Sequence, residues 1–275
     1  MKGPILSACI WMSCIMTLGF GQIGGPPQKS SVSLQYGPGM KVVSYTVTYG
    51  PLRAVARTVK GKPYSATQIA EHRKTLADGT SITEPEPSFN VYRDSAGRSR
   101  ADRPAVSPGP LTNAMENMPV IPEISDPVSG DQYILDVGNK IAHHYKIPAG
   151  IPMVFDLSLV SKVDGTNLPS FGGASLGPQI IEGISAQGKR TTTTYPIGMM
   201  GNEQPIVATT ETWESPELNI TLLTRSVDPR SGENIRALTD IKCEEPDPGL
   251  FHVPADYRIV EETGPFTMIL KPIEK

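Results

Sequence analysis

Cysteine is nearly absent from this 275-residue chain: there are three, and Cys9 and Cys14 lie in an apolar N-terminal stretch. Past that stretch Cys243 stands alone, so no internal disulfide can staple the fold and stability has to come from a buried core. An excess of positive charge is missing too. With 25 Lys and Arg against 28 Asp and Glu the formal net charge is −3, which removes the general electrostatic reason to bind nucleic acid or anionic lipid. After the N-terminus there is no apolar run of the length that a membrane-spanning helix needs, about 20 residues. Metal-ligand spacings such as Cys-x-x-Cys and His-x-x-x-His do not occur, and the chemistry calls for no metal and no cofactor. Aromatic residues are few, at 6%, and the 26 Gly and 27 Pro outnumber them. That balance favours many short elements joined by turns.

The N-terminus reads MKGPILSACIWMSCIMTLGFGQ, with Lys2, an apolar run from Ile5 to Phe20 and small residues around Gly21. This is the pattern of a secretory signal peptide over 1–21, with cleavage after Gly21, and it implies an exported, periplasmic or extracellular protein. Leu6-Ser7-Ala8-Cys9 also has the small-residue-then-Cys form of a lipoprotein signal, which would tether the chain by lipid. Only Ile5 to Ala8 would then serve as the apolar region, short of the usual 7–15 residues. Residues 22–39 read as a flexible segment, and 40–275 as one antiparallel β domain.

Period-two alternation runs through that domain. In Met40 to Tyr49, Val43, Tyr45, Val47 and Tyr49 alternate with Val42, Ser44, Thr46 and Thr48, as a strand with one more apolar face does. Further strands are expected at Ser65–Leu76, Ser88–Arg93, Gln132–Asp136, Lys140–Tyr145, Gln179–Gln187, Lys189–Tyr195, Ile206–Trp213, Leu218–Ser226, Asn234–Cys243 and Tyr257–Glu262. Turn residues bound nearly all of them. Frequent turns favour antiparallel hairpins, because parallel strands need crossovers of a dozen or more residues. The expectation is a mainly β fold: a curved, half-barrel-like antiparallel sheet of about ten strands with one short helix, or alternatively a β-sandwich.

An acidic turn recurs as Asp94-Ser-Ala-Gly97, Asp126-Pro-Val-Ser-Gly130 and Asp228-Pro-Arg-Ser-Gly232. In each, the Asp carboxylate can accept a backbone N–H two residues on and Gly can take the positive φ that closes the turn. A calcium loop needs several oxygen ligands at alternating positions, and each of these supplies one Asp.

Two segments break the pattern. Arg103 to Pro127 holds six prolines, which reads as a surface crossing rather than a central strand. Within it, LTNAMENM puts Leu111, Ala114, Met115 and Met118 on one face of a two-turn helix opened by Pro110 and stopped by Pro119. Residues 147–178 carry the apolar run IPMVFDLSLV and then a polar loop, and a connection of that length is commonly functional or mobile. Leu111, Met115, Met118, Met153 and Phe155 are therefore the candidate ligand-facing residues, the methionines for their pliancy.

Catalytic motifs fare less well. Gly173-Ala-Ser175-Leu-Gly177 fits the nucleophile-elbow pattern, which sits between a strand and a helix. Here Pro178 and the strand-like QIIEGISAQ follow, and NLPSFG before it does not read as a strand. His143, His144 or His252 would have to supply the base, with Asp156 or Asp256 orienting it. The adjacent His143 and His144 point to opposite faces of a strand and cannot readily share an ion. Asn219-Ile-Thr221 matches a glycosylation sequon inside a strand. In EPDPGLFHVPADY, prolines bracket Leu250 and Phe251, which implies a rigid turn that presses those side chains into the core. No catalytic residue is assigned.

The order VYRDSAGRSR, ISDPVSGDQYILD, IIEGISAQGKRTTTTYPIGMMGNEQPI, TWESPELNITLLTRSVDPRSGENIRALTDI and EPDPGLFHVPADYRIV, covering about Tyr64 to Val260, resembles a group of exported bacterial β-rich proteins. The alternating strand-turn-strand units and the closing F-x-V-P-x-x-Y element are also similar to the periplasmic half-barrel superfamily of lipoprotein carriers and sigma-factor regulators. That resemblance implies a curved sheet whose concave apolar face holds acyl chains beneath covering helices, of which LTNAMENM is the one present here. The function so implied is non-enzymatic binding of a lipid, a lipoprotein or another apolar envelope ligand, with an envelope interaction or sensing module as the alternative and a serine hydrolase further behind.

Overall fold

The computed structural model describes residues 29–36, 42–49, 58–105, 118–146 and 168–272. Fifteen strands make up nearly all of the regular structure there. They are β1 Lys29–Tyr36, β2 Val42–Tyr49, β3 Tyr64–Thr75, β4 Ser81–Arg93, β5 Ser99–Pro104, β6 Val120–Asp126, β7 Asp131–Asp136, β8 Ile141–Lys146, β9 Ser170–Ile181, β10 Ile184–Tyr195, β11 Ile206–Ser215, β12 Ile220–Asp228, β13 Gly232–Lys242, β14 Arg258–Glu261 and β15 Phe266–Leu270. The single helical turn among the described residues is a 3₁₀ turn at Pro248–Phe251. The fold is mainly β, as expected. The hydrogen-bonded order is β14-β8-β7-β6-β5-β4-β3-β13-β12-β11-β10-β9 in one twelve-stranded sheet with two free ends, and β1-β2-β15 in a three-stranded sheet. Among the described residues no helix is long and apolar enough to cross a membrane.

The chain groups into two compact units, Met1–Ser65 with Phe89–Ile151 and Cys243–Lys275, and Ala66–Ser88 with Pro152–Lys242. In the first, β2 and β15 pair so that Tyr49 faces Phe266, Val47 faces Met268 and Tyr45 faces Leu270. All six are buried, together with Ala105, Ile121, Ile134 and Tyr145 from around β5 to β8. Alternate residues on β2 and β15 point the other way, where Thr48 and Thr267 hydroxyls meet at 3.0 Å. The three-stranded sheet thus covers one face of β6–β8, while the twelve-stranded sheet is not closed into a barrel, in keeping with the expected curved, half-barrel-like sheet. Ile124, Leu135 and Ala142 form a second cluster, with Val253 and Tyr257 from the closing segment packed against it. Both faces of β6–β8 are covered by protein. Each fully buried Ile, Leu or Phe in such a layer contributes about 1.5–3 kcal/mol.

Several boundaries differ from the sequence expectations. β1 lies within the stretch 22–39 expected to be flexible, and β6 lies within the Pro-rich segment expected to cross the surface. Pro122 is tolerated in β6 because its register partner is Asp102 of β5, while the β6–β7 ladder ends at Glu123. Its missing N–H therefore takes no donor from the β7 side. β9 begins at Ser170, so the final third of the expected loop 147–178 is strand, and NLPSFG runs into it. The stretch Gln179–Gln187, expected as one strand, is a hairpin instead. Glu182 and Gly183 take φ of 51° and 78°, a two-residue type I′ turn, and Ile181 pairs with Ile184. β14 pairs with β8 in parallel, an exception to the expected antiparallel hairpins.

The three acidic turns form as the side-chain chemistry requires. Asp126 Oδ1 accepts from the Val128 N–H at 2.8 Å and Asp228 Oδ1 from the Arg230 N–H at 2.9 Å. In the first turn the buried Asp94 reaches two residues further, accepting from the Arg98 N–H at 2.8 Å and Arg98 Nε at 2.6 Å. Gly97, Gly130 and Gly232 all have positive φ, 91°, 74° and 103°.

Candidate functional site

The registers of the second unit sort its side chains onto two faces. Gly188 of β10 pairs with Trp213 of β11, Trp213 with Leu223 of β12 and Leu223 with Ala237 of β13. Directly paired residues share a face, so these four form one apolar row across four strands. The Trp213 ring lies over Gly188, where an added Cβ would come within 2.3 Å of it. The glycine makes room for the indole. Two residues along, Arg190, Glu211, Arg225 and Ile235 form the next row on the same face. Arg190 Nε donates to Glu211 Oε1 at 2.9 Å, and Arg225 contacts both Glu211 and Glu233. Trp213, Leu223 and Ile235 remain half-exposed, and Val207, further out on the same side of β11, is 46% exposed. The face therefore presents an apolar strip flanked by guanidinium and carboxylate groups.

The opposite face of the same strands carries a polar row. Thr191, Thr210, Ser226 and Asn234 pair in turn from β10 to β13. Thr210 and Ser226 hydroxyls meet at 3.1 Å, and Asn234 Oδ1 lies 3.0 Å from His72 Nδ1.

In the first unit the polar chemistry collects where β14 joins β8. His143 Nδ1 lies 2.8 Å from Glu262 Oε1, and its ring stacks on Phe266 at 4.0 Å. His144 stacks on Tyr133 and meets Glu261 Oε2 through Nδ1 at 2.6 Å and Asp131 Oδ1 through Nε2 at 2.7 Å. Burial pulls the Asp131 carboxyl upward, but hydrogen bonds from Lys146, Ser129 and His144 outweigh it and hold it down at about 2. Deeper in, the Tyr49 hydroxyl donates to Glu123 Oε1 at 3.2 Å while Arg103 Nε donates to Glu123 Oε2 at 2.9 Å. Burial first, and then the charge of Glu123, push the Tyr49 phenol well above its usual range. These groups satisfy one another, and their contacts fasten β14 and β15 to β7 and β8.

The depressed Asp131 value carries a pH expectation. Its folded value lies below the unfolded value of about 3.9, so its contribution is present above about pH 4 and lost as pH falls towards 2. Between pH 5 and pH 2.5 the wild type should lose about 2 kcal/mol more than Asp131→Asn. Urea melts of both proteins at the two pH values measure this, and equal losses would refute it.

Of the candidate ligand residues, Leu111, Met115, Met153 and Phe155 lie outside the described residues, and Met118 packs against the first unit's core. Ser175 is exposed on β9, where its Oγ accepts from the Gly177 N–H at 3.3 Å. A strand, not a helix, follows it. His252 is exposed with Nε2 3.3 Å from Arg98 Nη1. Among the described residues no group of His, Cys, Asp and Glu is arranged to hold a metal ion. The Gly188–Trp213 pairing was not anticipated, although a glycine in a strand marks a place of close approach.

An open, mostly antiparallel β fold with one half-exposed apolar face is the setting for comparison with known proteins. No family model matches the sequence, and no curated protein sequence matches it. Among solved structures, the chain is similar to the MucA/MucB complex of Pseudomonas aeruginosa, with 11% identity over 73% of this chain and 59% of that chain and a TM-score of 0.39. It is also similar to a LolA superfamily protein from Nitrosomonas europaea, with 8% identity, 70% and 90% coverage and a TM-score of 0.28. LprF from Mycobacterium bovis matches at 12% identity, with 72% and 91% coverage and a TM-score of 0.28. The chain spans about three fifths of the length of the MucB structures it matches.

Proposed function

We propose that this chain is an exported, non-enzymatic binding protein that holds an apolar or amphiphilic envelope ligand, a lipid or the acyl chain of a lipoprotein, on the apolar face of β10–β13. The observation that carries this reading is the half-buried row Trp213, Leu223 and Ala237, which continues the buried Gly188, beside the Arg190, Glu211 and Arg225 row. An acyl chain laid along the first row removes apolar surface from water, at about 25 cal/mol per Å², while the second row meets a polar head group. Met153 and Phe155 remain candidates for the same ligand.

The chain has two tryptophans, Trp11 and Trp213, so with Trp11→Phe the emission reports on this face alone. Titration with oleate should shift Trp213 emission to the blue and saturate, and Leu223→Asp should abolish the shift. Native mass spectrometry of protein purified from its own host should show a co-purifying lipid-sized mass. An unmoved spectrum together with a bare mass would sink the reading. The alternative, an envelope interaction module, is favoured by the β10–β11 hairpin tip, where Ile197 and Met200 are 56% and 48% exposed.

A further inference from the structure

The twelve-stranded sheet ends at β9, and among the described residues no strand pairs with its outer side. The strand reads SFGGASLGPQII and carries no charged residue over its twelve positions. Nearly every position is exposed. Natural edge strands are normally blunted by short length, by Lys and other charges, or by inward-pointing charge. The opposite end of the same sheet follows that rule: β14 has four residues, two of them Arg258 and Glu261. From Ser170 to Ser175 β9 carries no charge and no proline, and its irregularities, a register shift at Leu176 with Gly177 at φ of 79° and then Pro178, are confined to its second half. Gly172, Gly173, Ala174 and Ser175 keep the middle of the strand low. A Cβ added at Gly172 or Gly173 would meet nothing nearer than 3.9 Å, so these glycines are not demanded by packing within the chain.

We propose that β9 is a pairing edge that takes β9 of a second copy of this chain, antiparallel to it, extending the sheet across a two-fold axis. The backbone chemistry of a bare edge calls for another strand. An uncharged edge has no charge with which to select a partner of opposite sign, whereas isologous pairing requires only that the strand complement itself. β9 meets that requirement. Phe171 pairs with Thr193 and Ile180 with Ser185, and Thr193 and Ser185 lie an even number of residues apart on β10, so Phe171 and Ile180 share one face. Both are exposed, at 61% and 66%. Antiparallel alignment carries the Phe171 end of one strand to the Ile180 end of the other on that face, an aromatic and β-branched pairing, with Gly172 opposite Gln179 and Ala174 opposite Gly177 between them.

The test is sedimentation equilibrium of the purified chain over a concentration series, with hydrogen exchange at β9. The wild type should be a dimer, and the amides of Ser170 to Leu176 should be protected. Ala174→Lys places two like charges near the two-fold axis and should yield a monomer with unchanged circular dichroism and β9 amides that exchange freely. A wild type that stays monomeric at the highest concentration it tolerates overturns the proposal and leaves the edge to a different protein. A dimer that survives Ala174→Lys but is lost in Leu223→Asp is held by the apolar face, and overturns it equally.

Discussion

Replacing Phe251 with Ala is expected to cost about 3 kcal/mol or more, the range for emptying a buried aromatic site, while His252→Ala should be close to neutral. The closing segment explains the contrast. Asp247 Oδ1 accepts from the Gly249 N–H at 2.8 Å and starts the 3₁₀ turn, and Pro248 fixes its first residue. The turn aims Phe251 inward, where it is 4% exposed, with the Arg98 guanidinium 5.3 Å from its ring centre. Arg100 Nη1 donates to the Leu250 carbonyl at 3.1 Å and ties the turn to β5. His252, one residue on, is exposed, with its ring Nε2 3.3 Å from Arg98 Nη1. Urea melts of both variants decide the matter, and a stable Phe251→Ala protein would show that the segment is not a core plug.

Gly232→Val should be at least as damaging, for two separable reasons. Gly232 has φ of 103°, a region that costs a β-branched residue about 1–3 kcal/mol. In addition, a Cβ there would lie 2.3 Å from the Arg73 carbonyl oxygen, a backbone atom that cannot rotate away. Overpacking of this kind adds about 1–3 kcal/mol. Gly130 separates the terms, because it too has positive φ but an added Cβ would meet nothing within 4 Å. Gly130→Ala should therefore lose only about 1 kcal/mol. Thermal melts of the two variants that fell by equal amounts would contradict the close-approach argument.

Local chemistry was the legible part of this sequence. The Asp and Gly of each acidic turn lie within five residues of one another, so their hydrogen bonds follow from side-chain reach alone, and the bracketing prolines mark Phe251 in the same way. Most central strands follow from alternation. What escaped depends on neighbours far along the chain. Whether Pro122 breaks a strand turns on which side its absent donor faces, and that is decided by where the β7 ladder stops. β9 has the Gly and Ser content of a loop and is a strand because β10 supplies its partners. The His143 and His144 contacts reach 119 and 117 residues to Glu262 and Glu261, through a parallel pairing that no hairpin signal announces. The apolar face at Trp213 needed three registers across four strands to assemble, although its strands were each expected.

The interleaving of the first unit's segments has a kinetic consequence. Its core joins β2 to β15, and Thr48 meets Thr267 across 219 residues. Closing so long a loop carries an entropic cost that nearby hairpins avoid. β9 to β13, by contrast, connect through short turns between sequence neighbours, and each hairpin can form before the rest of the chain arrives. During synthesis the Tyr49 side chain waits for Phe266, so the first unit is completed only after Phe266 has emerged. Until then its apolar sheet face has no cover, and this nascent interval is when the protein is most open to chaperones and to misassembly.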